Sequence, residues 1–254
     1  MISQELIKKL AVQYQTTDFP NIVREYFQHL FLSELYKLPA SENLLFKGGT
    51  ALRVIYGSSR FSEDLDFSLF QIGHYQKKEY AEILFITVLK EIEKTGITVE
   101  IDRKSDVTAE GYFGDANFQI YNYPAAGVAI NISSRNGRNV KGEIDTVVND
   151  FVPSYNILHL PKEEIVEEKV FNALIKRKKV RDFYDLYFLL RKGMFTPDQK
   201  KRLADLKNDI LREAEGRNFH SELNALLPFN QHGIINDFYR ALSDELKRQV
   251  ADVS

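Results

Sequence analysis

The residues with the clearest chemical potential lie in one short stretch of the chain. Asp64 and Asp66 are separated by a single leucine in the segment Phe61-Ser-Glu-Asp-Leu-Asp-Phe67. Residues two apart on a strand point to the same face, so a strand here places both carboxylates on one side. Two convergent carboxylates suit a hard divalent cation, and Mg²⁺ or Mn²⁺ is the expected ion.

A pair of glycines precedes the aspartates. The segment reads Leu44-Leu-Phe-Lys-Gly-Gly-Thr50, an apolar run followed by Gly48 and Gly49. The apolar run predicts a buried strand, and Thr50 is predicted to cap the helix that follows. Because glycine lacks a Cβ and the N–H groups at a helix start attract anions, Gly48, Gly49 and Thr50 form a candidate phosphate site. No Gly-Lys-Ser/Thr follows the glycines, which argues against a Walker-type loop.

Hydrophobic periodicity predicts the elements that position these residues. Helices are predicted at 2–15, 20–38 and 77–94. Strands are predicted at Ile97–Ile101, Ala116–Tyr121, Val128–Ile132 and Val140–Val147, with a hairpin turn at Ser133–Arg138. From Pro161 onward the pattern changes to long helices, predicted at Glu163–Lys178, 197–215 and 232–248. This change predicts a domain boundary near Pro161.

Composition narrows the possible classes of function. The chain has no cysteine, which excludes disulfides, cysteine-ligated zinc, iron–sulfur clusters and cysteine nucleophiles. Lys and Arg total 34 against 36 Asp and Glu, so any contact with nucleic acid requires a local basic patch. The N-terminal segment lacks a signal-peptide core and no apolar run reaches membrane-spanning length, so a cytoplasmic protein without membrane contact is expected. The five histidines form no spaced metal motif and are interpreted as structural.

The ordered combination of strand, Gly-Gly-Thr, helix and Asp-x-Asp resembles the signature of the DNA polymerase β-like nucleotidyltransferase superfamily. The full run from Phe46 to Phe67 resembles the AbiEii family of nucleotidyltransferase toxins more narrowly. The superfamily more often has Gly-Ser where this chain has Gly49-Thr50, which keeps the hydroxyl. The resemblance implies an α+β fold in which residues 1–160 form a nucleotidyltransferase core, with a mixed, mostly antiparallel sheet flanked by helices. Residues 161–254 would form a helical domain that completes the active-site cleft.

The superfamily also implies a third metal-binding carboxylate on a strand next to the first pair. Glu143 and Asp145 share a strand face by the two-residue rule, and either one could take this place. The choice between them stays open, and an exposed polar face on an edge strand is an equally good interpretation of each. Gly142 stands where many relatives have a hydrophobic residue, which indicates a bulge.

A second block, from Glu167 to Leu186, also resembles the AbiEii family. The resemblance implies that Lys169, with Asp182 or Asp185, is needed for activity and that Lys169 holds triphosphate oxygens. Structural interpretations stand beside this one: Asp182 favours a helix N-terminus, Asp185 is a surface charge and Lys169 is a solvated side chain. The basic run Lys176–Arg181 is either a solvated helix end or a surface that binds the backbone of a nucleic-acid acceptor.

The resemblance implies a metal-dependent nucleotidyltransferase that moves a nucleoside monophosphate from a nucleoside triphosphate to an acceptor hydroxyl. RNA is the expected acceptor, and transfer RNA in particular. The implied role is the toxin of a toxin–antitoxin or phage-defence pair, with a cognate antitoxin as partner. One alternative is a protein of the same fold that binds nucleotide or nucleic acid without catalysis. Another is a helical protein-interaction module whose glycine and aspartate motif is vestigial. The intact carboxylate pair and Lys169 favour catalysis.

Overall fold

The computed structural model describes residues 1–70, 77–102, 107–108, 111–134 and 140–250. The chain divides into two compact units, Met1–Leu160 and Pro161–Ser254. Across the described ranges, every helix is too short or too polar to span a lipid bilayer.

The first unit combines helices with a sheet. Its helices are α1 (Gln4–Gln13), α2 (Val23–Leu35), α3 (Gly48–Val54) and α4 (Lys77–Glu93), with a π-helical segment at Asp18–Ile22 and a 3-10 helix at Pro39–Asn43. Its strands are β1 (Leu44–Lys47), β2 (Leu65–Leu69), β3 (Thr98–Asp102), β4 (Val107–Thr108), β5 (Gly111–Gln119), β6 (Ala126–Ser134), β7 (Glu143–Val147) and β8 (Tyr155–His159). The apolar run at β1 is therefore confirmed as a buried strand.

The strands of the described residues form one eight-stranded sheet. The order is β3-β5-β6-β2-β1-β8-β7, and β4 pairs with β5. Strand β2 is antiparallel to β1 and parallel to β6, and β1 is parallel to β8. The other pairs are antiparallel. This mixed, mostly antiparallel sheet with flanking helices confirms the predicted fold class.

One face of the sheet packs against helices α2 and α4. Phe27 of α2 stacks on Phe118 of β5 with 4.6 Å between ring centroids, and Phe85 of α4 lies 6.4 Å from Phe67 of β2. Aromatic side chains bury large apolar areas, so these contacts fix the helices on the sheet. Because Leu65 and Phe67 of β2 point into this core, the alternate residues of the strand point to the opposite face.

The predicted hairpin at Ser133–Arg138 is wrong. Its flanking strands β6 and β7 are not neighbours, since β6 lies between β5 and β2 while β7 lies at the far edge of the sheet. Residues 135–139 lie outside the described residues. Strand pairing depends on contacts between residues distant in sequence, which local turn chemistry does not determine. Tyr155–His159 was not predicted as a strand, and it forms β8 between β1 and β7.

The second unit is helical. Its elements are α5 (Lys162–Val166), a π-helical segment (Glu167–Leu174), α6 (Ile175–Arg177), α7 (Val180–Arg191), α8 (Pro197–Ala214), α9 (His220–Leu226), a 3-10 helix (Phe229–Gln231), α10 (Gly233–Asn236) and α11 (Phe238–Val250). The helix predicted at Glu163–Lys178 is confirmed as a helical stretch, but its central part is π-helical. Lys178 ends this stretch in the left-handed conformation, with φ of 52°.

Candidate active site

The glycine turn lies between β1 and α3, directly against Asp66. Gly48 has a backbone φ of +85°, a conformation that residues with a side chain rarely adopt. A Cβ on Gly48 would lie 2.1 Å from Oδ2 of Asp66 and 2.8 Å from its Cβ and Cγ. Gly48 is therefore required both by its backbone conformation and by the carboxylate that occupies the space where a side chain would stand.

Thr50 joins the glycine turn to the aspartate segment. The prediction that Thr50 caps α3 is wrong, because the helix begins at Gly48 and its N-cap is Lys47. The side chain of Thr50 is fully buried, and its hydroxyl donates a hydrogen bond of 2.5 Å to the backbone carbonyl of Asp64. Through this hydrogen bond, the Thr50 hydroxyl holds Asp64, the residue before β2, against α3.

Asp64 and Asp66 alternate with buried apolar residues. Asp66 lies within β2, and Asp64 comes one residue before the strand begins. Leu65 and Phe67 are fully buried, whereas both aspartates are partly exposed. This alternation places the carboxylates on the side of β2 opposite the core, as the sequence predicted.

The neighbouring strands contribute polar side chains to the same face. On β6, Asn131 stands opposite Asp66, and its Nδ2 donates to Oδ1 of Asp66 at 3.0 Å. On β1, Lys47 stands opposite Asp66, and its Nζ donates to Oγ of Ser133 at 2.6 Å. Lys47, Asn131 and Ser133 were not predicted as site residues. The signal for Asn131 and Ser133 was present in the alternation of polar residues with Ile130 and Ile132.

A buried ion pair anchors helix α3. Arg53 in α3 binds both carboxylate oxygens of Glu25 in α2, through Nε at 2.6 Å and Nη2 at 2.9 Å. The same guanidinium lies 3.7 Å above the ring of Phe61 and donates to the carbonyls of Ser58 and Ser59. These contacts fix the helix that carries the glycine turn relative to the loop that leads to Asp64.

The expectation that Glu143 and Asp145 lie on a strand next to Asp66 is wrong. They lie on β7, which β8 and β1 separate from β2. With strands about 4.8 Å apart, three steps place them about 14 Å from the aspartate strand, too far to share one ion with it. Asp145 is 56% exposed and contacts Nε2 of the buried His159 at 3.1 Å. The exposed edge-strand interpretation therefore describes both residues better.

Gly142 does not form the predicted bulge, because it precedes the first residue of β7. A Cβ at this position would lie 2.5 Å from Cδ2 of Leu45 and 2.8 Å from Cδ1 of Leu158. Glycine suits this position because the two leucine side chains occupy the space that its own side chain would need.

The donor chemistry around Asp66 fits a hard divalent cation. Asp64 and Asp66 supply carboxylate oxygens, which Mg²⁺ and Mn²⁺ prefer. Within the described part of the chain, no group of three or more His, Cys, Asp or Glu residues is placed to hold a metal ion. The residue beside Asp66 on the adjacent strand is an amide instead of a third carboxylate.

In the second unit, Lys169 and Asp185 form a buried pair. Nζ of Lys169 lies 2.9 Å from Oδ2 of Asp185, and the two side chains are 11% and 1% exposed. The interpretations of Lys169 as a solvated side chain and of Asp185 as a surface charge are therefore wrong. Lys169 belongs to the π-helical segment, and π-helical turns occur frequently at functional sites.

Asp182 and the basic run have structural roles within the second unit. Asp182 accepts from the backbone N–H of Lys179 at 3.2 Å and from Nη2 of Arg177 at 2.6 Å, which confirms its position at the N-terminus of α7. Lys178 binds Glu213 at 2.6 Å. Arg181 also lies 4.0 Å from Glu222, so three cations of the run are paired with carboxylates of the same unit, which supports the interpretation of a helix end.

His29 is part of the core of the first unit. Its ring stacks on Phe151, and its Nδ1 lies 2.9 Å from the hydroxyl of Tyr155. Burial, together with the positive charge of Arg53, lowers the pKa of His29 to about 3. The imidazole is therefore neutral at physiological pH, consistent with the structural interpretation of this histidine.

The strand, glycine turn, helix and aspartate strand, with the carboxylate of Asp66 against the turn, form the ordered arrangement that the sequence motif predicted. A family model described as "Nucleotidyl transferase AbiEii toxin, Type IV TA system" matches residues 30–252. The chain belongs to this family of nucleotidyltransferase toxins. A comparison with curated proteins gives no match.

Solved structures share the fold at low sequence identity. JHP933 from Helicobacter pylori is 21% identical with a TM-score of 0.65, over 100% of this chain and 95% of that chain. MenT4, the nucleotidyltransferase toxin Rv2826c from Mycobacterium tuberculosis H37Rv, is 14% identical with a TM-score of 0.65, over 100% and 91%. Another H. pylori crystal structure is 20% identical with a TM-score of 0.64, over 92% and 96%. At these identities the similarity concerns the fold.

Proposed function

We propose that the chain transfers a nucleoside monophosphate from a nucleoside triphosphate to a hydroxyl of RNA, using a divalent cation at Asp64 and Asp66. One observation carries this proposal: the carboxylate of Asp66 lies against Gly48, at the turn that begins α3. A cation on this carboxylate and a phosphate at the backbone of Gly48 and Gly49 would be immediate neighbours.

The reaction requires positioning and charge neutralisation more than covalent chemistry. The oxygen of the acceptor hydroxyl attacks the α-phosphorus, the bond from that phosphorus to the bridging oxygen breaks, and pyrophosphate leaves. The hydroxyl proton passes to a carboxylate at the site or to water. When bound, Mg²⁺ or Mn²⁺ supplies positive charge to the phosphate oxygens in the transition state.

The chain's own residues divide these tasks. Asp64 and Asp66 would hold the cation, and the backbone at Gly48 and Gly49 would receive phosphate oxygens. Thr50, which the sequence placed with the two glycines in the candidate phosphate site, would support that site by fixing Asp64 to α3.

A role for the second unit rests on family resemblance. Lys169 would hold triphosphate oxygens, and Asp185 would keep its ammonium group in place through their 2.9 Å contact. Asp182 would support activity through the N-terminus of α7. Glu143 and Asp145 have no part in this proposal, because β7 lies three strands from Asp66.

The proposed biological setting is supported by membership of the family. We infer that the enzyme acts in the cytoplasm, where nucleoside triphosphates and RNA occur together, as the toxin of a pair with a cognate antitoxin. Transfer RNA is the acceptor to test first, because the resemblance of the glycine and aspartate motif to the AbiEii family implies it. The nucleotide is left open, and each of the four is tested separately.

The test measures transfer of label from α-³²P nucleoside triphosphates, with Mg²⁺, to total RNA and to purified transfer RNA. The variant is Asp66→Asn, which keeps the size of the side chain and an oxygen that can accept from Asn131 but removes the charge. The matched control is Asp198→Asn in α8, whose side chain is 91% exposed.

Label on short RNA with the wild type and Asp198→Asn, but not with Asp66→Asn, supports the proposal. If label appears on protein or on a small molecule, nucleotidyl transfer is retained as the reaction but RNA is not the acceptor. Equal labelling by the wild type and Asp66→Asn contradicts the proposal. Binding of nucleotide without transfer by the wild type favours the non-catalytic alternative.

A further inference from the structure

The side chain of Asp66 is held by a residue that no motif identifies. Strand β6 runs parallel to β2, and Asn131 stands directly opposite Asp66 in the register. Nδ2 of Asn131 lies 3.0 Å from Oδ1 of Asp66. A carboxylate only accepts hydrogen bonds, so the amide nitrogen, and not the amide oxygen, must face it.

The two oxygens of Asp66 have different surroundings. Oδ1 accepts from Asn131, whereas Oδ2 lies at the glycine turn, 2.1 Å from the position that a Cβ of Gly48 would take. The hydrogen bond and the close approach of Gly48 together restrict the rotation of the carboxylate. A ligand whose orientation is fixed in advance loses less entropy when it binds a metal ion.

Asn131 also sets the charge of this face. An acidic residue at the same register position would add a third carboxylate beside Asp64 and Asp66. The amide instead supplies a hydrogen-bond donor and no charge, and it removes the repulsion that two carboxylates 3.0 Å apart would cause.

We propose that Asn131 is a positioning residue for the divalent-cation site, which holds Oδ1 of Asp66 so that Oδ2 binds the cation at the glycine turn. This inference rests on the proposed function, because the cation is the one that nucleotidyl transfer uses. It adds a residue from a third strand to the site and explains why that residue is an amide.

The test is direct binding of Mn²⁺ to the full chain, followed by the electron paramagnetic resonance signal of the free ion. Asn131→Ala removes the hydrogen bond to Asp66, and we expect it to weaken Mn²⁺ binding about tenfold. The matched control is Asn156→Ala on β8, where the amide oxygen of Asn156 accepts from Thr146 and not from the aspartate pair. This control should bind Mn²⁺ as the wild type does.

A second variant separates positioning from a general effect on folding. Asn131→Asp replaces the donor with a third carboxylate that faces Asp66, so in the absence of metal we expect a lower melting temperature than that of the wild type. Saturating Mn²⁺ should raise the melting temperature of this variant by more than it raises that of the wild type, because the ion relieves the repulsion.

The inference is overturned if Asn131→Ala binds Mn²⁺ as tightly as the wild type, or if the wild type binds none. It is also overturned if Mn²⁺ stabilises Asn131→Asp no more than it stabilises the wild type. These results are separable from the fate of the proposed function. Wild-type Mn²⁺ binding that depends on Asn131, without nucleotidyl transfer, retains the cation site and removes the reaction. If the wild type transfers nucleotide but Asn131→Ala binds Mn²⁺ as tightly as the wild type, the proposed reaction is retained and the positioning role of Asn131 is removed.

Discussion

Gly48→Ala provides the most direct test of the site geometry, because the structure gives two separate reasons why alanine should not be tolerated. An L-residue in the left-handed region costs about 1–2 kcal/mol. The added methyl group would also lie 2.1 Å from Oδ2 of Asp66, far inside contact distance, so the carboxylate has to move. Forcing an extra carbon into a packed site costs about 1–3 kcal/mol more, which gives a total of about 2–5 kcal/mol.

Gly57→Ala is the matched control. Gly57 has φ of +75°, close to that of Gly48, but a Cβ there would meet nothing within 4 Å. We expect this variant to lose only the backbone term, about 1–2 kcal/mol of the free energy of unfolding. Urea denaturation of both variants therefore separates the backbone strain from the displacement of Asp66.

Activity should separate the two variants further. Displacing a catalytic carboxylate by about 1 Å can reduce the rate about a hundredfold, so Gly48→Ala should lose transfer activity while Gly57→Ala keeps it. In an Asp66→Ala background, Gly48→Ala should cost less stability than in the wild type, because Oδ2 is gone. Equal stability losses in the two glycine variants, together with wild-type activity of Gly48→Ala, would refute the assigned geometry.

Three further predictions concern two buried ion pairs and one buried histidine. Asp185→Asn leaves the ammonium of Lys169 buried without its carboxylate, and we expect a loss of about 3 kcal/mol in the free energy of unfolding, measured with urea. Arg53→Met leaves the carboxylate of Glu25 buried, and should cost about 3 kcal/mol and reduce transfer activity, because the helix carrying the glycine turn loses its anchor. His29 has a pKa of about 3 in the folded chain against 6.5 when unfolded, so the unfolded chain binds its proton first and stability falls as the pH drops from 6.5 toward 3. His29→Gln should remove up to about 1.4 kcal/mol per pH unit of this slope in urea denaturation.

Each of these variants has an exposed counterpart as control. Asp198→Asn, Lys94→Met and His220→Gln change solvent-exposed residues and should alter stability by less than about 0.5 kcal/mol. The assignments fail if a buried variant is as stable as its counterpart. For His29, an unchanged slope between pH 6.5 and 3 in His29→Gln would show that other groups cause the acid sensitivity.

The sequence alone identified the centre of the proposed site because its signals are local. The two-residue period of a strand placed Asp64 and Asp66 on the face opposite Leu65 and Phe67, and the structure has them there. The strand before Gly48 and the helix after it are equally local, since both follow from an apolar run that ends in glycines. The fold class followed from the same motif by family resemblance.

Contacts between residues distant in sequence were decided only by the tertiary structure. Asn131 was part of a predicted strand, but nothing in the sequence indicated that this strand would lie beside β2 while β7 would lie three strands away. The pairing of Lys169 with Asp185 likewise needed the π-helical segment to pack against α7. Thr50 is a residue type that often caps helices, but its hydroxyl instead donates a hydrogen bond to the backbone carbonyl of Asp64. Strand order and side-chain partners depend on the packing of the whole unit, whereas alternation and turn chemistry depend only on neighbouring residues.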